Sequence, residues 1–193
     1  MSVQILHSCP CGGDDSMADK TGGKKTNSVQ VKKVALYGLL VALALVLSYV
    51  EAQVPAFFVM PGMKLGLTNV VVLIALTRMG YKDALVINIL RIVIVGFTFS
   101  NTFSMLYSLA GGMLSWLAMS LLKKTGRFGL VGISVAGGVF HNLGQIIAAA
   151  MLVSIGSLLY YLPFLLVSGT AAGVMIGFIS AMVVKRLPRD YSA

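Results

Sequence analysis

Six apolar runs, separated by short polar connections, organise the chain between residues 34 and 184. Runs of about 18 apolar residues or more are typical of helices that cross a bilayer. The sequence therefore predicts an all-α integral membrane protein with six transmembrane helices. The predicted spans cover residues 34–50, 65–79, 84–99, 103–122, 130–155 and 158–184. The last two exceed one bilayer thickness, so we expect them to tilt, protrude or bend.

Charge in the connections predicts how these spans are oriented. Lysines and arginines precede the first span and follow the second, the fourth and the sixth. With six crossings these four regions share one side, and the opposite connections carry Lys64 as their only basic residue. Because basic connections stay in the cytoplasm, we expect both termini there, in a multi-pass protein of a bacterial cell membrane.

Composition agrees with a membrane protein and divides the chain into three regions. Hydrophobic residues make up 58% of the 193 residues and charged residues 11%, whereas soluble domains carry about 25% charged residues. The net charge of +9 does not indicate a nucleic-acid partner, because the basic residues lie between apolar runs. We expect a disordered cytoplasmic leader (1–33), a transmembrane domain (34–184) and a short basic cytoplasmic tail (185–193).

The leader offers little chemistry. Cys9 and Cys11 are the only cysteines, too few for a disulfide framework or a zinc site without partners. Met17 is an alternative start of translation.

The chain has no phosphate-binding loop, no HExxH and no GxSxG motif. We therefore expect no catalytic residues, no metal site and no cofactor.

Polar residues inside the spans are the candidate functional residues, because ionisable groups in a bilayer usually face the protein interior or a cavity. Arg91 lies well inside the third span, and Asn88 shares its helical face. Two roles for Arg91 stay open at this point. Either backbone carbonyls or Glu51 neutralise it, or it binds a ligand.

The fifth span adds His141, Asn142 and Gln145 near mid-membrane. Polar side chains concentrated in an otherwise apolar helix favour a lined cavity over a simply satisfied interior histidine. Two prolines and Gly62 forbid a continuous helix in the outer segment after Glu51. Lys64, either an interfacial anchor or a cation for an anionic ligand group, follows this segment. The candidate substrate-binding residues are Glu51, Lys64, Asn69, Asn88, Arg91, Tyr107, His141, Asn142 and Gln145.

Small residues predict where helices pack closely in lipid. The sixth span carries Gly169, Gly173 and Gly177 in one stripe, and the first carries Gly38 and Ala42 on one face. We expect most such stripes to pack internally. The face of the first helix is the best candidate for docking a partner subunit.

The order of these residues resembles the Gx transporter family, often labelled heptaprenyl diphosphate synthase component I. The resemblance covers residues 34–184 and leaves the leader outside. The residues that carry it are Leu45-Val-Leu-Ser-Tyr-Val-Glu51, Pro61-Gly-Met-Lys64-Leu-Gly-Leu-Thr-Asn69, Leu90-Arg91, Tyr107-Ser-Leu-Ala-Gly-Gly112, His141-Asn-Leu-Gly-Gln145 and Tyr160-Tyr-Leu-Pro163.

That family is similar to the substrate-binding S components of energy-coupling factor vitamin transporters. The resemblance implies a six-helix fold, an outward-facing pocket, and docking on a transmembrane coupling subunit with ATPases through small residues of the first helix, here Gly38 and Ala42. We therefore expect a transport component that binds a vitamin-like, flavin-related or isoprenoid-like small molecule. The alternatives are a non-catalytic subunit of quinone- or flavin-linked electron-transfer machinery, with a membrane partner, and an accessory subunit of polyprenyl diphosphate synthase.

Overall fold

The computed structural model of the protein describes the backbone of residues 16–53, 66–99, 102–151 and 155–187. Side chains are described for residues 30–51, 53, 66–98, 102–151 and 162–187. The described backbone forms six α-helices and no strand, which confirms the all-α fold. The helices are α1 (Ser16–Gln53), α2 (Asn69–Arg78), α3 (Tyr81–Phe99), α4 (Thr102–Thr125), α5 (Leu130–Ala150) and α6 (Ile155–Arg186).

Four helical stretches are long and apolar enough to cross a membrane, in agreement with a membrane protein. They are Gln30–Glu51, Thr102–Thr125, Leu130–Ala150 and Leu162–Arg186. Helix α3 has 19 residues but includes Lys82, Asp83 and Arg91. Helix α2 has only ten residues, about 15 Å or half of a hydrocarbon core. Six helices thus match the six predicted spans in order, while six full crossings stay a prediction.

Two helix starts differ from the expectations. Helix α1 begins at Ser16, so residues 16–33 are helical although their composition predicted disorder. Once a helix is nucleated, each added residue gains a backbone hydrogen bond, which extends an apolar helix into a polar segment. Helix α2 begins at Asn69 rather than at residue 65, because Gly66 has a positive φ of 79° that is incompatible with a right-handed helix.

Helix α2 forms the centre of the bundle and contacts each of the other five helices. Every residue from Asn69 to Leu76 is buried. Helix α1 covers one side of α2 and α3 with a stripe of buried residues, spaced three or four apart as a single helical face requires. The stripe consists of Leu36, Leu40, Ala44, Ser48 and Glu51.

Basic residues from several helices meet at one end of the bundle. Lys33 of α1 pairs with Asp83 of α3 at 3.0 Å, and Asp83 also accepts a hydrogen bond of 2.5 Å from the Tyr37 hydroxyl. At the same end Arg78 of α2 donates to the carbonyl of Val184 on α6. The basic connections therefore share one end of the fold, as the orientation argument requires. That this end faces the cytoplasm stays a prediction.

Glycines bring α5 and α6 into backbone contact. A Cβ atom on Gly173 would lie 2.6 Å from the Cα of Val135, and one on Gly177 would lie 2.8 Å from the Cα of Val131. Gly169 faces Gly138 across the same contact. The stripe on the sixth helix is therefore an internal packing surface, as expected for small residues in a membrane bundle.

Replacing Gly173 by alanine tests this contact. Because the new methyl group would meet backbone atoms that cannot rotate away, Gly173→Ala should destabilise the protein by about 1–3 kcal/mol and lower its melting temperature in detergent. Gly132→Ala on α5 is the control, since a Cβ there makes only ordinary contacts of 3.7 Å with Phe128. Equal melting temperatures for the two variants would contradict the close packing of α5 and α6.

Candidate functional site

Buried polar side chains from four helices gather around the N-terminal end of α2. Each is 6% exposed or less, which is unusual for groups of this polarity unless they are paired or functional. We call this set the polar cluster. Its members are Glu51, Thr68, Asn69, Asn88, Arg91, His141 and Gln145.

Arg91 is held by two neighbouring residues that the bundle brings to it. Its Nε and Nη2 atoms donate to Oδ1 of Asn88 at 3.1 and 2.9 Å, and Nη1 donates to the Thr68 hydroxyl at 2.5 Å. Asn88 in turn donates to the carbonyl of Gly112 on α4 at 3.0 Å. The guanidinium group is therefore fixed between α2, α3 and α4, with a fork geometry that lysine cannot reproduce.

Glu51 joins α1 to the start of α2. One of its carboxylate oxygens accepts a hydrogen bond of 2.5 Å from the backbone N–H of Gly66. Its charge also attracts the guanidinium group of Arg91. Glu51 therefore lowers the cost of burying this cation, and the choice between neutralisation and ligand binding by Arg91 stays a prediction.

His141 and Gln145 approach the cluster from α5. Their Nε2 atoms lie 3.1 Å apart, as residues one helical turn apart can. The His141 ring is so close to Gly66 that a Cβ atom there would lie 3.0 Å from Cδ2 of His141. On the other side, a Cβ atom on Gly111 of α4 would lie 2.8 Å from the His141 carbonyl oxygen. Because Gly66 and Gly111 lack side chains, His141 fits between them.

Some polar atoms of the cluster have no hydrogen-bond partner within the described part of the chain. They include both amide atoms of Asn69 and Oε1 of Gln145. The hydroxyl of Ser108 on α4 is also buried without a partner. Leaving such an atom unpaired costs about 1–3 kcal/mol, so these groups indicate a place for water or a ligand.

A small cavity adjoins Arg91 between α1, α3 and α4. It offers about 10 Å³ to the centre of a water-sized sphere, enough for about one water molecule. Its walls include Ser48, Arg91 and Ser108. The described residues thus enclose space for water beside Arg91, and a larger ligand would need room that this cavity does not supply.

The predicted site residues do not all converge. Asn142 donates to the carbonyl of Leu165 at 2.7 Å and ties α5 to α6, away from Arg91. Tyr107 is half-buried on α4 and is not a member of the hydrogen-bonded cluster. Lys64 lies outside the described residues, as does the broken outer segment. Asn69, Asn88, Arg91, His141, Gln145 and Glu51 do meet in the cluster.

Sequence reasoning missed two contributors to the cluster. Thr68 was not singled out, although its hydroxyl binds Arg91, because a lone threonine beside an apolar run carries no pattern. Gly111, which lies beside His141, is part of a quoted motif but was not singled out. A pair of glycines within an apolar helix could have indicated close approach by neighbouring groups.

Comparison with protein families gives one match over most of the chain. Residues 40–183 match the family described as heptaprenyl diphosphate synthase component I, and the chain belongs to this family. The match includes every described member of the polar cluster and confirms the resemblance to this family, while the similarity to S components stays a prediction. Comparisons with curated proteins and with solved structures return no significant match. Within the described residues, no group of His, Cys, Asp and Glu could hold a metal ion.

Gly66 allows a test of the cluster's packing. Gly66 and Gly126 both have positive φ, 79° and 65°, so alanine at either position should cost about 1–2 kcal/mol. Only Gly66→Ala would also press on His141 and Asn69, since a Cβ on Gly126 meets nothing within 4 Å. We expect Gly66→Ala to melt at a lower temperature than Gly126→Ala.

A double-mutant cycle tests whether the lower melting temperature of Gly66→Ala comes from its contact with His141. In the background of His141→Ala the histidine ring is gone, so Gly66→Ala should cost less there than in the wild type. An unchanged cost would contradict the contact between Gly66 and His141. The measurement is thermal unfolding of each detergent-purified variant.

Proposed function

We propose that this protein is the ligand-binding membrane component of a transport system. It binds a small molecule from the outer side and relies on partner subunits for energy. The observation that carries this proposal is the polar cluster at the N-terminal end of α2. Substrate sites of many transporters lie near mid-membrane, beside the N-terminus of a discontinuous helix, and the ten-residue helix α2 is such an element.

Energetics support a functional cluster over an incidental one. Polar and charged groups are expensive within a bilayer and persist mainly where they serve a pathway or a ligand. A well-packed apolar core would stabilise the bundle at lower cost than two buried charged groups with their surrounding amides. Helices α1, α2, α3 and α5 nevertheless all contribute polar side chains to the same place. We propose Lys64 and Tyr107 as further ligand contacts toward the outer side.

The proposed partner surface lies on α1, opposite its buried stripe. Gly38 and Ala42 are exposed, and a Cβ on Gly38 would meet nothing within 4 Å. A helix face with small residues lets a second helix approach closely. We propose a coupling subunit with ATPases as the occupant of this face, on the resemblance of the sequence motifs to a family similar to S components.

A second candidate function is that of an accessory subunit of a polyprenyl diphosphate synthase. The family description, which names component I of a heptaprenyl diphosphate synthase, favours it. In this case the same α1 face would bind a catalytic synthase subunit. The polar cluster would bind an isoprenoid-like compound or would only stabilise the fold.

Ligand binding is tested first on the molecule that co-purifies with the protein. Wild-type protein, purified in mild detergent and extracted for mass spectrometry, should carry a small molecule in stoichiometric amount. Arg91→Met and His141→Leu should each reduce its retention about tenfold or more, because both remove polar groups at the proposed site.

Ser180→Ala is the matched control for this experiment. Ser180 is as fully buried as the cluster, at 0% exposure, but lies on α6 near the basic end of the bundle. It should retain the molecule as the wild type does. Absence of any retained molecule, together with no binding in a broad ligand screen, would refute the transport proposal.

The partner surface is tested with bulky substitutions on α1. Gly38→Leu and Ala42→Leu should abolish co-purification of the partner while the melting temperature stays unchanged, because neither side chain is packed in the bundle. Ala171→Leu, on an exposed face of α6, is the control. A coupling subunit with ATPases lost in both α1 variants would support transport. A catalytic prenyl synthase subunit would support the second candidate, and an electron-transfer partner would contradict both.

A further inference from the structure

Asn69 is the most informative residue of the polar cluster. It is 2% exposed, and both its amide nitrogen and its amide oxygen lack hydrogen-bond partners within the described residues. The side chain is held beside Gly66, since a Cβ on Gly66 would lie 3.1 Å from Nδ2 of Asn69. The hydrogen-bonding groups of a buried amide are satisfied only when a partner accepts from its NH2 group and donates to its oxygen.

The backbone N–H groups at the start of α2 are paired within the chain: those of Asn69, Val70 and Val71 donate to the carbonyls of Gly66, Leu67 and Thr68 at 2.9, 3.1 and 3.0 Å. Asn69 is the first residue of α2, and the cap residue Thr68 makes no side-chain hydrogen bond to the helix. Its hydroxyl is used by Arg91 instead. The first turn of α2 therefore offers no free backbone N–H group to a ligand, and the unpartnered group of Asn69 is its side-chain amide.

The charges near Asn69 decide which class of ligand fits. Arg91 is the buried cation of the cluster, and Glu51 is a buried carboxylate that attracts it. Since these two charges oppose each other, Arg91 and Glu51 together supply no net positive charge for a phosphate or diphosphate. Sites for such anions use several cations or a row of free backbone N–H groups. The unpartnered atoms of Asn69, Gln145 and Ser108 belong to neutral amides and a hydroxyl.

We propose that Asn69 binds a neutral ligand edge in which an N–H group stands beside a carbonyl, as in a cyclic amide or imide. The Asn69 amide would accept from the ligand N–H and donate to the ligand carbonyl. Oε1 of Gln145, a residue whose Nε2 lies 3.1 Å from Nε2 of His141, is a further free acceptor for a donor on the same ligand. This inference rests on the proposed function and narrows its substrate class.

Matched probes separate this chemistry from the alternatives. Uracil carries the amide and imide edge, 1,3-dimethyluracil has the same ring and carbonyls without N–H donors, and inorganic diphosphate is the anionic alternative. Binding to the detergent-purified full chain is measured by saturation-transfer NMR for the two rings and by phosphorus NMR line broadening for diphosphate. We expect binding of uracil, and for 1,3-dimethyluracil an affinity at least about tenfold weaker.

Variants of Asn69 assign the binding to this residue. Asn69→Leu removes both amide groups at similar volume and should weaken uracil binding about tenfold, whereas Ser180→Ala should not change it. Asn69→Asp keeps the size of the side chain but loses the N–H donor, so it should also bind uracil more weakly. It replaces Asn69→Leu in this experiment if that variant fails to fold. Size-exclusion profiles and melting curves establish which variants are folded.

Several outcomes would overturn the inference. Equal binding of uracil and its dimethyl derivative, diphosphate binding in preference to uracil, absence of uracil binding, or unchanged binding in both Asn69 variants would each do so. The co-purification experiment keeps this failure apart from that of the proposed function. A retained molecule that depends on Arg91 and His141 but carries a charged phosphate head would leave the transport proposal standing and refute the amide edge.

Discussion

The structure depends on a helix of ten residues, about half the thickness of a hydrocarbon core, that is buried among the other helices. Helix α2 has ten residues and contacts each of the other helices. In a bilayer every backbone polar group must be satisfied within the protein, so a helix that ends inside the bundle must be enclosed by its neighbours. The burial of every residue from Asn69 to Leu76 follows from this constraint. So does the gathering of polar side chains at one end of α2.

The two ends of α2 are served by groups of opposite charge. At the N-terminal end the Glu51 carboxylate accepts the N–H of Gly66, where a helix dipole favours negative charge. At the C-terminal end the Lys123 ammonium group donates to the carbonyl of Leu76 at 2.5 Å, where the dipole favours positive charge. Side chains of α1 and α4 therefore supply hydrogen-bond partners near the two ends of α2, where a longer helix would supply them from its own backbone. The polar cluster lies at the first of these ends and the basic residues at the second.

The sequence was sufficient for features with a local pattern. Apolar runs and connecting charges predicted six helices in order, and spacing placed Asn88 on the face of Arg91, where the two side chains are hydrogen-bonded. Contacts between distant residues left no such pattern. The Arg91 partner Thr68 lies on another segment, and Asn142 turns to α6 although it is adjacent to His141. The start of α2 was misplaced because Gly66 interrupts the helix through its backbone angle, which an apolar run conceals.

Helix α1 contributes to both the proposed ligand site and the proposed partner surface. Its buried stripe ends in Glu51, which binds the start of α2, while its exposed face carries Gly38 and Ala42. These residues lie on one continuous helix, and a helix transmits a displacement along its axis as a rigid element. A ligand that draws Glu51 away from Gly66 or Arg91 would shift the same helix that faces the partner. Within the proposed function, α1 is therefore the element that would carry a movement from the polar cluster to the partner surface. Near its basic end, α1 also pairs with α3 through Lys33 and Asp83 at 3.0 Å.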